Sequence, residues 1–195
     1  KYLIAIKRMY LRMIALQARP IMVYYSKNFQ RESRENIRIS TSTFFDYKNR
    51  LKISDHCFIG HFNFIEASHF IEIGEGVQIT NYCSITTHSS HHSIRLYGKR
   101  FKSTKKPKGY IKGPISIGDY TFVGPHSTIM PNTKIGKGCL ISAYSYVQGD
   151  FPDFSIIAGQ PAKIIGNTTE LDKKYLDEYP ELKTFYEEWV KSVSY

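Results

Sequence analysis

Seven histidines are spread along the 195 residues, and one group of them has an unusual setting. The run Thr86-Thr87-His88-Ser89-Ser90-His91-His92 carries three of them, with Arg95 close behind. Free imidazole titrates near pH 6.5, so a histidine can take the proton of a hydroxyl as its oxygen attacks. A base so placed contributes about 10²- to 10⁴-fold. The three cysteines, Cys57, Cys83 and Cys139, are odd in number and form no CxxC pair. That argues against a disulfide framework or a thiolate metal site and fits a reducing, cytoplasmic setting. The net charge of +10 is unevenly placed: seven Lys or Arg and no acid lie between His88 and Tyr110. Seven more precede the first acid, Glu32. Such density predicts an anionic partner: a phosphorylated ligand, an acidic membrane face or nucleic acid. No nucleic-acid recognition motif accompanies it, so nucleic acid is not expected.

These side chains need a frame, and the frame is periodic. Ile111, Ile117, Val123, Ile129, Ile135, Ile141 and Val147 stand six apart. Ile73, Ile79 and Ile85 keep the same step, as do Ile53, Ile59 and Ile65, with a two-residue slip between the two blocks. The pattern breaks from His88 to Tyr110 and then resumes. Neither a 3.6-residue helix nor a simple alternating strand gives a step of six. A short strand plus a tight turn does, and three such units close one triangular coil whose aliphatic residues stack on those of the next. Four residues after most of these aliphatics come Cys57, Val77, Cys83, Thr121, Ser127, Thr133, Cys139 and Ser145, small enough for a coil corner. Asn63, His69 and Ile115 are the exceptions. The cysteines therefore read as buried filler. Gly74, Gly118, Gly124 and Gly136 directly follow the aliphatic position, where a sharp turn is expected.

On these repeats, the block from Ile73 to Ile165 resembles the hexapeptide-repeat acyltransferases, in the branch of galactoside, maltose and polysaccharide O-acetyltransferases. The resemblance implies an all-β solenoid, a left-handed parallel β-helix, and acetyl-CoA as co-substrate. It makes His88 the catalytic base, with His91 and His92 in support and Arg95 as a substrate or loop contact. His61-Phe62-Asn63 is similar to a segment reading Asn-Phe-Asn in related sugar acetyltransferases, so His61 and Asn63 become acceptor contacts, with histidine in place of the first asparagine. The sequence does not say what orients His88; Glu66 is the carboxylate offered. The family's oxyanion amide is expected just after Gly124, where Pro125 has no N–H, which leaves Gly124 or His126 as donor. Phe122 would flank the acyl arm, and Ser142 and Ala143 would meet the pantetheine. Ile157-Ala158-Gly159-Gln160-Pro161-Ala162-Lys163 resembles the family's C-terminal motif; Gly159 and Pro161 turn the chain beside the nucleotide, and Lys163 pairs with a phosphate. Lys134 and Lys137 are lesser candidates for that pairing. No metal is expected.

Three segments follow from this reading. Residues 1–36 hold an N-terminal amphipathic helix and connector, 37–166 the β-helix with its extended loop 88–110, and 167–195 a helical cap. On the first helix Lys1, Arg8, Arg12 and Arg19 share one stripe before Pro20. Residues 1–19 would pack on the coil or a neighbouring subunit, or dock on an anionic membrane face. No apolar run approaches the roughly 18 residues of a membrane span, and no secretory signal is read. Thr169 with Asp172 is expected to cap the first C-terminal helix, and Pro180 to open a second carrying Leu182, Phe185 and Trp189. The expectation is a cytoplasmic homotrimer, peripheral to the membrane at most, that acetylates a hydroxyl of a sugar, such as a surface polysaccharide or its precursor. The rivals are an amino-sugar N-acetyltransferase, a γ-type zinc carbonic anhydrase and a non-catalytic scaffold. The zinc enzyme needs a third histidine about 35 residues before His56 and His61, and none precedes His56.

Overall fold

A computed structural model of the chain describes residues 5–10, 13 and 19–191. From Ser33 to Gly159 the coil strands visit three parallel sheets in rotation, interrupted by the antiparallel pair His88–Ser89 and Ile111–Lys112, and each coil strand pairs with its predecessor in the same sheet. The first face stacks Ile39, Ile59, Ile79, Val123, Ile141 and Ile157. Phe45, Ile65, Ile85, Ile129 and Val147 stack on the second face, and Ile53, Ile73, Ile117, Ile135 and Phe151 on the third. These residues, half-buried Phe45 apart, form one continuous core. Burying each is worth roughly 1.5–3 kcal/mol. Because a one-residue slip would turn a whole strand's apolar set outward, the pattern pins the register.

The step between faces is constant at two corners and variable at the third. From the first face to the second, and from the third back to the first, the inward residues always lie six apart. From the second to the third the gaps run Phe45 to Ile53, Ile65 to Ile73, Ile85 to Ile117, Ile129 to Ile135 and Val147 to Phe151. The two-residue slip thus recurs at one corner, and the long loop leaves from that same corner one coil on. Ile111 is a correction to the repeat. It lies six before Ile117 yet belongs to the loop's stem, where Ser89 and Ile111 pair antiparallel, and Ile115 is the buried residue that resumes the coil.

The glycines after the aliphatic positions are explained by close approach of coils rather than by turn dihedrals. A Cβ on Gly124 would lie 2.6 Å from the amide nitrogen of Ala143 and 2.7 Å from the carbonyl of Ile141. All three cysteines are buried. The loop folds on itself: helix His91–Tyr97 buries Ser93, whose hydroxyl donates to the Lys108 carbonyl, while the Lys108 amide donates to the Tyr97 hydroxyl.

At the C-terminal end, the strands Ser155–Gly159 and Ala162–Asn167 form a hairpin that leads into helix Thr168–Glu178. Its cap is Asn167, whose side chain accepts from the Thr169 amide, so the expected Thr169–Asp172 box is not the cap. Pro180 opens a short turn before helix Lys183–Val190, and Trp189 packs on Tyr120 and Phe154 against the coil. Leu182 and Phe185 stay exposed. Of the expected N-terminal helix, 5–10 is helical and exposed, while much of 1–19 lies outside the described residues. Among the described residues no helix is long and apolar enough to cross a membrane.

Candidate active site

The variable corner gathers the polar groups of the molecule. On strand Phe64–Glu66, alternation turns Ile65 into the core and Glu66 outward. Glu66 is nevertheless only 3% exposed, because the next turn closes over it. Its Oε2 accepts from the Thr87 hydroxyl at 2.9 Å and the Thr87 amide at 3.1 Å, and its Oε1 from the Ser68 amide at 2.8 Å. His88 Nδ1 lies 2.8 Å from Oε2. Burial alone would raise the Glu66 carboxyl, but hydrogen bonds from Ser68, His88 and Thr87 outweigh it and hold the pKa at about 2. A carboxylate so held can only accept. In the neutral imidazole the proton therefore sits on Nδ1 and Nε2 is left as the acceptor.

The rest of the ring's setting favours that orientation. His88 pairs with Lys112 at the base of the loop, and its imidazole stacks on Tyr110, with centroids 5.8 Å apart and 15° between planes. Its side chain remains 38% exposed. His69, a residue the sequence reading left unassigned, sits beside it. The Ser68 hydroxyl lies 2.9 Å from His69 Nδ1 and 3.4 Å from His88 Nδ1. Burial and the nearby charges of Lys112, His88 and Arg50 push the His69 pKa down, against a smaller upward pull from Glu66. The signal was available, since His69 breaks the small-residue rule at its corner.

His91, His92 and Arg95 lie on the loop helix and engage one another. Arg95 donates to the His91 carbonyl at 2.5 Å and to His92 Nδ1 at 3.0 Å, while His91 Nδ1 is 2.7 Å from the Ser89 hydroxyl. Arg95 is thus a loop contact here. His61 and Asn63 are not brought to His88; they lie at the corner between the first and second faces. Asn63 is buried and spent on structure: its Nδ2 donates to the Gly60 and Thr80 carbonyls and its Oδ1 accepts from the Cys83 amide. His61 Nδ1 is 2.6 Å from the buried Ser40 hydroxyl. His56 lies at a third corner, beside Asn36, so the HxxxxH pair does not converge. Among the described residues no three His, Cys, Asp or Glu side chains group as metal ligands.

The residues read as donor contacts collect along the corner between the first and second faces, on later coils. Phe122 points outward on the first face, 38% exposed. The Gly124 amide donates to the Ile141 carbonyl and the His126 amide to the Asn81 carbonyl, so both expected oxyanion donors are already committed. Ser142 donates its amide to Ile157, whereas the exposed Ala143 amide takes no partner among the described residues. One coil further, Gly159 has φ +105 in the hairpin turn, and Gln160 Nε2 donates to the Tyr144 carbonyl at 2.7 Å. That bond ties the turn holding Pro161 to the Ser142–Ala143 edge, with Lys163 exposed beyond it. Lys137 instead donates to the Val190 carbonyl of the last helix, and Lys134 lies outward on the third face.

Comparison with known proteins follows these lines. A family described as bacterial transferase hexapeptide (six repeats) matches residues 114–149. The galactoside O-acetyltransferase of Escherichia coli is 30% identical over 144 residues, covering 72% of this chain and 66% of that protein. A Mycobacterium tuberculosis protein named "Probable acetyltransferase" is 32% identical over 122 residues, 62% of this chain and 38% of its own length. Among solved structures, a galactoside acetyltransferase in complex with coenzyme A is similar at a TM-score of 0.56 and 26% identity, over 71% of this chain and 66% of that one. The chain therefore spans less than two thirds of the length of each of these relatives.

Proposed function

Since the chain belongs to the hexapeptide-repeat transferases, we propose that it is an acetyl-CoA-dependent O-acetyltransferase acting on a sugar hydroxyl, with His88 as general base. The observation that carries the reading is the bond between His88 and the buried Glu66 carboxylate, which leaves Nε2 of the neutral ring as an acceptor at an open corner. Nε2 takes the hydroxyl proton as the sugar oxygen attacks the thioester carbonyl. The carbon–sulfur bond then breaks, and the departing thiolate takes the proton back from His88. The imidazolium that forms in between is stabilised by the Glu66 carboxylate behind it, so Glu66 acts as a positioning residue. No covalent enzyme intermediate is needed.

Acetyl-CoA supplies the activated acetyl group. The residues fit its shape: the free Ala143 amide suits the amide-rich pantetheine, and exposed Lys163 beyond the Gly159–Pro161 turn suits a phosphate. With Gly124 and His126 committed, the Ala143 amide is also a free backbone donor on that edge for the oxyanion. The coil is read as left-handed.

In one chain His88 and this donor edge lie on opposite borders of the second face. One outward row of that face, Phe44, Phe64, Ser84, Thr128 and Tyr146, carries no charge, with Phe44 stacked on Phe64 at 5.5 Å, while the row beside it holds Asp46 and the covered Glu66. The outward row of the third face reads Lys52, Glu72, Ser116, Lys134 and Asp150. The face with this uncharged row is read as the one a second copy covers in a homotrimer, setting one chain's His88 against the next chain's donor edge. The galactoside activity of a relative supports a sugar acceptor; a surface polysaccharide or its precursor is the version read here.

Acetyl-CoA turnover screened against neutral, amino and acidic sugars, with NMR of the product, tests the reading. An O-acetyl ester is expected; an amide product moves the assignment to N-acetylation, and turnover with no acceptor overturns it. Sedimentation should give a trimer, and an active monomer would refute the shared site.

A further inference from the structure

Positive charge is concentrated around His88, where the nearest acid, Glu66, is buried and already bonded. Between residues 88 and 112 there are eight Lys or Arg and no Asp or Glu. None of these cations forms an ion pair among the described residues. They do not belong to a loose tail. Helix His91–Tyr97 is held to the returning segment through Ser93, Lys108 and Tyr97, and Tyr110 brings that segment back onto the His88 ring. The positive charge therefore starts at the base itself. On the preceding coils, Arg50 reaches along the same corner to the Ser68 carbonyl, and both Arg50 and Lys112 act on His69 beside His88. On the coils up to His88 the acids of this corner are Asp46, whose carboxylate accepts from the Tyr47 amide, Glu66, buried behind His88, and Glu72, paired with Lys52 on the third face.

The axial order says which substrate this field addresses. The residues read as donor contacts lie on coils beyond His88, toward Lys163. The basic arm leaves the coil of Thr86, about 15 Å short of the Gly159–Lys163 turn at roughly 4.8 Å per coil, and from a different corner. Resting on the acetyltransferase reading, we propose that the acceptor is an anionic sugar, one bearing a phosphate or a carboxylate, recognised by the arm 88–112 with Arg50. Clustered exposed cations raise the local concentration of such a ligand and fall in effect with added salt.

Three probes separate the possibilities: UDP-glucose for phosphate, methyl glucuronide for carboxylate, and methyl glucoside as the neutral case. Each is measured with the wild type and with Lys99→Gln/Lys102→Gln/Lys105→Gln/Lys106→Gln, all exposed loop positions. The wild type is expected to favour a charged probe by about tenfold or more in KM, an advantage the variant and high salt both erase. The neutral probe and acetyl-CoA should stay within about twofold. The charged probe that loses more names the anionic group. Equal KM values for all three probes in the wild type would overturn the proposal. So would a variant whose only change is a weaker KM for acetyl-CoA, or one that loses only binding to phosphatidylglycerol vesicles. Calorimetric binding of the probes to His88→Ala keeps the two readings apart. Charge-selective binding with no wild-type turnover leaves the anionic ligand standing and removes acetyl transfer; turnover without charge selectivity does the reverse.

Discussion

Two corners of the same coil differ in one respect, and most of the molecule's chemistry follows from it. Between the first and second faces the chain always takes six residues, so equivalent side chains fall above one another. Phe62, Tyr82, His126 and Tyr144 all adopt φ near +60 there and stack into a ladder with centroid spacings of 5.1, 4.9 and 4.8 Å. Between the second and third faces the step varies from coil to coil, and no ladder forms. Side chains at that corner meet partners on the neighbouring coil instead, as Glu66 does with Thr87 and His88. Constant spacing produces a repeated edge suited to a long ligand; variable spacing produces one singular site.

The difference predicts that changes at the variable corner reach the chemistry, whereas changes at the constant one act through stability alone. His88→Ala should show the largest effect, a fall in acetyl transfer of about 10²- to 10⁴-fold. Its fold and its acetyl-CoA affinity should stay largely intact. Near-full activity toward the true acceptor would remove the base assignment and with it the functional half of the comparison.

Glu66→Gln comes next, with kcat expected to fall about 10²-fold through loss of the tautomer that frees Nε2, and little change in the acetyl-CoA KM. Glu66→Asp should recover part of the loss. A stability signature separates this role from mere packing. The Glu66 pKa is depressed from 4.5 to about 2 in the folded chain. Its ionised form therefore stabilises the fold above the ordinary value, by on the order of 3 kcal/mol, and that contribution fades as pH falls from about 4.5 toward 2. Denaturant melts of wild type and Glu66→Gln should differ most at neutral pH and converge in acid. A constant gap across that window would mean the carboxylate is not held as the geometry indicates.

The same contrast explains what could be read in the sequence. The core was legible because each inward isoleucine repeats on a fixed count, and so were the buried cysteines at small corner positions. The Glu66–His88 pair was not, since it joins residues 22 apart across a corner whose length varies. Ile111 misled by arithmetic alone: six before Ile117, it fits the count but lies in an antiparallel stem. Asn63 misled by type, because an amide beside His61 resembles a ligand contact until its three hydrogen bonds inside the coil are seen. His69 and the two-residue slip were both visible as irregularities, and both mark the singular corner.

On the constant edge, Gly124→Ala tests the other half. The new methyl would meet backbone atoms of Ala143, Ile141 and Ser142 at 2.6–2.9 Å, none of which can rotate away. Coils would have to separate locally, at a cost of about 1–3 kcal/mol, or roughly 2–4 °C of melting temperature per kcal/mol in a chain of this size. The pH dependence of kcat should be unchanged, because the Glu66–His88 pair lies at another corner. An altered pH profile would show that the two corners are coupled through the coil and that the separation between stability and chemistry is too sharp.

The smallest effect expected is none at all, at the three cysteines. Cys57 and Cys139 lie at the corner between the third and first faces and Cys83 at that between the first and second, so all belong to constant steps. Burial pushes the Cys57 thiol up to about 12 and the Cys139 thiol to about 11, and raises Cys83 as well. Reaction with a disulfide reagent requires the thiolate, which is scarce at such values and shielded by the coils. Native protein at pH 8 should therefore release no chromophore with Ellman's reagent, and denatured protein should release three equivalents. The variable corner cannot affect this result unless its contacts hold the neighbouring coils closed. If Glu66→Gln made Cys83 reactive in the native state, the site's hydrogen bonds would be fastening the stack as well as orienting His88.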